Sequence, residues 1–144
     1  MKKLLSLVLA LLFILTSCAV AYAEQEQAKP DWYELDENEE VLTIRLPANL
    51  TTGYEWTFEI SDPEALELVT QEYIEDENGQ QLVGVGGTWA ASFHGTFAKA
   101  GDVDLTLTYK RSFEEEAAET RLVKLWIVEN NQLQVVSAEV VDPS

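Results

Sequence analysis

Apolar side chains alternate with polar ones along most of this chain, and this pattern predicts β-strands. Leu42, Ile44 and Leu46, for example, alternate with Thr43 and Arg45. A period of two puts successive side chains on opposite faces of a strand, so that one face can be buried. Six runs show or approach this pattern, at residues 42–46, 54–60, 66–74, 89–97, 103–109 and 122–128. No segment shows a sustained helical period, and the chain has no internal repeat.

Two of these runs, and the segments outside them, lead to more specific expectations. We expect Trp89, Ala91, Phe93 and Phe97 to share one face of the fourth strand. The run at 122–128 is apolar on both faces, which indicates a central strand. Residues 32–35 predict a further short strand, whereas residues 132–144 are compatible with either a last strand or a free tail.

Turn-forming residues separate the runs, among them Pro47, Gly53, Pro63, Gly79 and Gly101. Several short strands with frequent turns predict an all-β fold, an immunoglobulin-like antiparallel β-sandwich. The Cys…Trp…Cys spacing of true immunoglobulin domains is absent, so this prediction concerns architecture alone.

The order of the connections predicts where the loops lie. If each connection reverses the chain, those at 48–53, 75–87 and 112–120 share one end of the sandwich. The shorter ones at 61–65 and 98–102 then lie at the other end. Clustered loops on a rigid sandwich form binding surfaces.

The first 23 residues predict an export signal. Lys2 and Lys3 precede an apolar run, and Ala21-Tyr22-Ala23 has the small-x-small form that signal peptidase cuts. The run is shorter than the roughly 20 residues of a membrane-spanning helix. Residues 15–18 also resemble a lipobox, in which the chain is cut before Cys18 and that residue is lipidated. We expect a secreted, periplasmic or lipid-anchored protein with a leader and possible first short strand at 24–40 and one domain at 41–144.

The composition of the exported part disfavours several functions. It has 7 basic residues against 26 acidic ones, a net charge near −19, which repels nucleic acid and anionic membranes. Cys18 is the only cysteine, so a disulfide and Cys/His metal sites are not expected. His94 lies opposite Trp89 and Phe93 in its run, as a surface residue would, and no nucleophile motif accompanies it. We therefore predict neither an enzyme nor a cofactor.

Three segments at the predicted loop end have residue types suited to contact with a protein, although each is also compatible with an ordinary turn. Loop 1 (49–53) has small threonines and a glycine that can take a positive φ. Loop 2 (84–87) has three glycines, and loop 3 (111–113) pairs an arginine with an aromatic residue, as interface hot spots do. The residues are Asn49, Leu50, Thr51, Thr52 and Gly53, then Gly84, Val85, Gly86 and Gly87, then Arg111, Ser112 and Phe113.

In this order the three segments resemble the chagasin family of cysteine protease inhibitors, whose pattern is Asn-Pro-Thr-Thr-Gly, Gly-x-Gly-Gly and Arg-Pro-Trp. The resemblance covers about residues 41–128 and includes the turn Lys99-Ala100-Gly101. It implies a monomeric, reversible, non-covalent inhibitor that fills the active-site cleft of papain-like cysteine proteases.

The same resemblance implies a role for each loop. Thr51 would lie near the catalytic cysteine of the protease, with Thr52 and Gly53 shaping the wedge. Gly86 and Gly87 would let loop 2 lie against one wall of the cleft. Arg111 and Phe113 would meet the other wall.

The chain departs from the family pattern at three positions. Leu50 and Ser112 replace prolines, and Phe113 replaces a tryptophan. We expect looser loops and weaker inhibition than in members with the full pattern. Asn49-Leu50-Thr51 is also a formal glycosylation sequon, which we take as incidental.

Two other functions remain compatible with the sequence. One is an extracellular adhesion or ligand-binding domain that uses the same loop end, and a flat platform of exposed Trp and Tyr side chains would favour it. The other is a structural domain of an envelope complex, which a stable oligomer would favour.

Overall fold

A computed structural model describes residues 29–76 and 86–141 of the 144-residue chain. A short 3₁₀ helix, Leu50–Thr52, follows the second strand. In this part of the chain, no helix is long and apolar enough to cross a bilayer. The strands in chain order are β1 (Tyr33–Leu35), β2 (Val41–Ala48), β3 (Tyr54–Ile60), β4 (Leu66–Glu75), β5 (Gly87–Gly95), β6 (Gly101–Arg111), β7 (Glu119–Ile127) and β8 (Leu133–Val141).

The strands form two four-stranded antiparallel sheets, with the orders β1-β2-β5-β4 and β3-β6-β7-β8. The predicted all-β, immunoglobulin-like sandwich is therefore confirmed. Residues 32–35 contain β1, as expected, and β7 has the predicted interior position between β6 and β8. The segment from residue 132, for which the sequence left two possibilities, contains β8.

The hydrophobic core lies between the sheets and contains the inward residue of each alternating pair. Leu42, Ile44 and Leu46 of β2 are fully buried, and Phe93 packs edge-on against Phe58 with ring centroids 5.1 Å apart. Burial of each such side chain stabilises the fold by roughly 1.5–3 kcal/mol. The opposite sheet contributes Val103, Leu105, Leu107, Val123, Leu125 and Ile127.

Phe97 does not share the buried face of β5, so that expectation was wrong. The strand ends at Gly95, and Phe97 has a φ of 67° and is 76% exposed. The cause is Asn131, which is only 3% exposed and whose Nδ2 donates to the Gly95 carbonyl over 2.9 Å. Its Oδ1 accepts from the Phe97 amide over 3.3 Å. This buried amide fixes the turn that carries Phe97 out of the sheet.

The two apolar faces of β7 have different surroundings. Val123, Leu125 and Ile127 are buried, whereas Lys124 is exposed and Trp126 is 43% exposed on the other face. An antiparallel sheet of a two-layer sandwich packs on one face only, which explains the difference.

Strand register places the three long connections at one end of the sandwich, as predicted. Ala48 pairs with Gly87, Tyr54 with Arg111, and Tyr109 with Glu119. We call this the loop end. Strand β1 runs antiparallel to β2 and hence away from the loop end, and the Trp32 carbonyl accepts from the Arg45 amide over 2.8 Å.

The opposite end carries a small ionic cluster. Lys99 forms ion pairs with Glu64 at 2.9 Å and Asp62 at 3.2 Å. Hydrogen bonds to Glu64 and then to Asp62 raise the pKa of Lys99 above its usual range. The folded state therefore favours the charged ammonium at this end.

We expect the two phenylalanines of the β5 region to respond oppositely to truncation. Phe93→Ala leaves a cavity in the core and should lower the free energy of unfolding by about 3–5 kcal/mol. Phe97→Ala removes an exposed ring and should change it by less than about 0.5 kcal/mol. Urea unfolding followed by tryptophan fluorescence measures both. Equal losses in the two variants would contradict this description of the turn.

Candidate functional site

Loop 1 is a compact turn held by its own hydrogen bonds. The Asn49 side-chain Oδ1 accepts from the Thr51 amide over 3.2 Å and from the Thr51 hydroxyl over 2.6 Å. The Asn49 carbonyl accepts from the Thr52 hydroxyl over 2.6 Å and from the Thr52 amide over 3.2 Å. These bonds cap the 3₁₀ helix Leu50–Thr52 in the way that asparagine caps a helix start. The loop thus has one defined shape although it lacks the proline of the family pattern.

Gly53 ends the turn and redirects the chain into β3. Its φ is 80°, a left-handed conformation that other residues rarely adopt, and its amide donates to the Leu50 carbonyl over 3.1 Å. At the start of the loop, the Asn49 amide donates to the Tyr109 hydroxyl over 3.0 Å. The Asn49 end of loop 1 is therefore bonded to β6, and Gly53 leads directly into β3.

Arg111 joins loop 3 to loop 1. Its Nε donates to the Thr52 carbonyl over 3.1 Å, and its Nη1 lies 3.2 Å from the Glu114 carboxylate. The guanidinium also lies over the Tyr54 ring, 4.5 Å from the centroid, and 6.0 Å from that of Phe113. The resemblance assigns Arg111 a contact with the protease, and the structure adds an intramolecular role that the sequence did not indicate.

A column of aromatic rings supports this junction from below. Tyr54 stacks on Tyr109 with centroids 5.3 Å apart, and Tyr109 stacks on Trp56 at 4.9 Å. Trp56 in turn lies 6.4 Å from Trp89 in the other sheet. We call the four residues Tyr54, Tyr109, Trp56 and Trp89 the aromatic column. It links loops 1 and 3 to the core, and its members were not among the predicted site residues.

Loop 2 is described only at its second half. Gly84 and Val85 lie outside the described residues, whereas Gly86 and Gly87 lead into β5. Gly87 is buried, and a Cβ there would lie 2.4 Å from the Ile74 carbonyl oxygen and 2.7 Å from the Tyr73 ring. Gly86 is half-buried, with no atom closer than 3.7 Å to such a Cβ. Packing within this protein therefore accounts for Gly87, and contact with a partner is not needed to explain it.

The remaining predicted residues form an exposed surface. Phe113 is 77% exposed and Leu50 is 50% exposed. Thr51, Thr52, Gly53 and Ser112 are exposed as well.

A hollow of about 370 Å³ lies between loops 1 and 2 and the β6–β7 connection. Asn49, Gly86 and Tyr109 line it, together with the carboxylates Asp76 and Glu119. Loops 1 and 2 and the neighbouring strand ends of β6 and β7 thus border a common space.

In the part of the chain that is described, the loop end carries neither a histidine nor a metal-binding cluster. No cluster of His, Cys, Asp and Glu able to hold a metal occurs within residues 29–76 and 86–141. His94 lies on β5 opposite Val41, away from the loop end, and is paired with Glu67 at 2.7 Å. What the loop end offers is a shaped surface with exposed small and aromatic side chains.

Comparison with known proteins agrees with the loop pattern. A family model described as chagasin family peptidase inhibitor I42 matches residues 37–127, more than half of the chain. This chain belongs to the chagasin family. The match includes all three loops and the strands from β2 to β7, and it leaves out β1 and β8.

One relative and one solved structure illustrate how similar the chain is to known proteins. The protein named chagasin from Trypanosoma cruzi is 38% identical over 76 residues, which are 50% of this chain and 66% of that protein. The crystal structure of the cysteine protease inhibitor EhICP2 from Entamoeba histolytica is 22% identical, with a TM-score of 0.48. That comparison covers 56% of this chain and 71% of the other. The chagasin family is one of peptidase inhibitors, in line with the prediction of a non-enzymatic protein.

We expect the two described glycines of loop 2 to differ in their tolerance of a side chain. Gly87→Ala forces a Cβ against the Ile74 carbonyl and should lower the free energy of unfolding by about 1–3 kcal/mol. Gly86→Ala meets no close atom and should change it by less than about 0.5 kcal/mol. Thermal unfolding of both variants beside the parent measures the difference. A stable Gly87→Ala protein would show that Tyr73 and Ile74 are not packed as described.

Proposed function

We propose that this protein is a reversible, non-covalent inhibitor of papain-like cysteine proteases that occupies the active-site cleft with loops 1, 2 and 3. The observation that carries the proposal is the bond from Arg111 to the Thr52 carbonyl, because it joins loops 1 and 3 into one wedge. Membership of a peptidase inhibitor family supports the class of target.

Preorganisation explains how such a wedge can bind tightly. A standard protein–protein interface buries about 1,600 Å². Its affinity depends on how much conformational freedom the loops lose on binding, and loops that are already ordered lose less. The internal bonds of Asn49 and the Arg111 junction exist before any partner binds. They compensate for the missing proline at Leu50, so the expected loosening of loop 1 is smaller than the sequence alone implied.

Each loop has a distinct part in this proposal. Thr51, at the exposed tip of loop 1, enters the cleft next to the catalytic cysteine and blocks access of substrate. Phe113 provides an exposed aromatic contact on one wall, with less area than the tryptophan of the family pattern. Gly86, at the end of loop 2, approaches the other wall. No bond is made or broken in this protein.

An adhesion function is not favoured by the described surface. A flat platform of exposed Trp and Tyr side chains at the loop end would favour an adhesion function. Among the described residues, Trp56 and Trp89 are buried, and Trp126 lies on the outer face of β7.

Titration of papain with the purified protein tests the proposal. The parent should give saturable, reversible inhibition of fluorogenic substrate hydrolysis. The Thr51→Asp, Phe113→Ala double variant places an unpaired charge in the cleft and removes the aromatic contact, so its inhibition constant should rise at least about 100-fold. Phe97→Ala, which truncates an equally exposed phenylalanine at the opposite end, is the matched control and should inhibit like the parent. Inhibition that survives in the double variant would place the binding surface elsewhere.

We also propose that the protein is exported and acts as a monomer, cut after Ala23. The basic start, short apolar run and small-x-small end of residues 1–23 support this processing. The high negative charge favours a soluble monomer.

The intact mass of the protein recovered from an expressing cell tests this processing. We expect a chain that begins at Glu24, found in the medium or periplasm. A heavier, detergent-soluble species that begins at Cys18 and is lost in Cys18→Ser would instead establish the lipid-anchored form. Size-exclusion chromatography with light scattering reports the oligomeric state of the same sample.

A further inference from the structure

A second concave surface lies beside loop 1, between the outermost strands of the two sheets. Strands β3 and β4 are each last in their sheet, and their facing edges border a groove of about 280 Å³. Its lining includes Leu50, Glu55, Trp56, Glu72, Tyr73 and Trp89. Leu50 belongs both to this groove and to loop 1, so the groove is continuous with the surface that enters the protease. We call it the flank groove.

The flank groove combines apolar and anionic surface. Trp56, Tyr73 and Trp89 are largely buried aromatic residues, and half-exposed Leu50 lies beside them. Glu55 and Glu72 come from the two edge strands and are exposed. Neither carboxylate has a hydrogen-bond or ion-pair partner within residues 29–76 and 86–141. Lys110 lies opposite Glu55 in the β3–β6 register without forming an ion pair with it.

We propose that the flank groove accepts a lysine or arginine side chain of the protease, from the surface next to its active-site cleft. Such a side chain has an aliphatic stem that packs on apolar surface and a cationic head that pairs with carboxylates. The flank groove presents both partners, apolar surface and carboxylates, within one cavity next to loop 1. The net charge near −19 of the exported part favours the approach of a basic surface from a distance.

This inference rests on the proposed inhibitory function and adds a contact outside the three loops. It predicts that inhibition depends on salt and on the sign of charge at two positions. Glu55 and Glu72 would lie at the rim of the interface. They would therefore change mainly the association rate and its dependence on salt concentration.

The experiment compares charge removal in the flank groove with the same charge removal elsewhere. Glu55→Gln, Glu72→Gln neutralises the groove, while Glu59→Gln, Glu139→Gln neutralises two exposed glutamates outside it and alters net charge equally. Inhibition constants against papain are measured at 20 mM and 500 mM NaCl, and thermal unfolding checks that all variants fold alike.

At 20 mM NaCl the groove variant should inhibit about fivefold more weakly than the parent, and the control variant should stay within about twofold. At 500 mM NaCl the parent and groove variant should converge. Charge reversal, Glu55→Lys, Glu72→Lys, should weaken inhibition further at low salt.

Four outcomes would overturn the proposal. If the groove variant has the same inhibition constant as the parent at 20 mM NaCl, the flank groove does not contact the protease, and the inhibitory function is unaffected. Equal losses in the groove and control variants indicate long-range charge alone. A parent that does not inhibit papain overturns the inhibitory function and the flank groove contact with it. In the fourth outcome, the parent and the groove variant inhibit papain equally, but added ethylguanidinium changes the tryptophan fluorescence of the parent alone. The occupant of the flank groove would then be a small cation and not a side chain of the protease.

Discussion

The aromatic column, with Arg111 above it, is the interaction on which the loop end depends. Stacked rings contribute about 0.5–1.5 kcal/mol per pair beyond the area that they bury. Trp89 and Trp56 belong to different sheets, so the column also joins the two layers of the sandwich. Because Tyr109 accepts from the Asn49 amide and Arg111 donates to the Thr52 carbonyl, both halves of loop 1 are attached to the same support. Loop 1 is thereby held by residues that are themselves packed on the core.

Arginine suits this position better than lysine. One planar guanidinium lies over the Tyr54 ring, donates to a carbonyl and pairs with Glu114 at the same time. A lysine ammonium is a point charge on a flexible stem and lacks the flat face needed for stacking. The position therefore has a structural requirement that is independent of any contact with a protease. Arg111 can therefore serve both the internal structure of the loop end and a contact with a protease.

Much of the fold follows from the sequence because the core is built from simple alternation. The strands β2, β3 and β6 alternate regularly, and the reversal of direction at each connection placed three loops at one end. The sequence left β8 as one of two possibilities, because a register shift opposite Lys124 and Leu125 interrupts its alternation. Phe97 was placed wrongly because a buried side chain 34 residues away, Asn131, ends the strand. Contacts of that kind leave no local pattern.

The loop pattern of the candidate site is visible in the sequence, whereas the bonds within the site are not. The order of Asn49–Gly53, the glycines and Arg111–Phe113 is a linear signal that a family pattern can match. The link between Arg111 and Thr52 joins residues 59 positions apart and depends on the geometry of β3 and β6. Gly87 matched the pattern for a binding loop, yet its neighbours show that strand packing alone requires glycine there.

The direction of β1 has a consequence for how the protein can be tethered. Since β1 runs away from the loop end, the chain enters the sandwich from the side on which the loops project. Trp32, just before β1, thus lies nearer the loop end than Leu35 does. If the chain were fixed to a membrane through Cys18, the intervening residues could reach at most about 40 Å even when fully extended. In that case the loop end could meet only proteases close to the membrane, a restriction that a released inhibitor escapes.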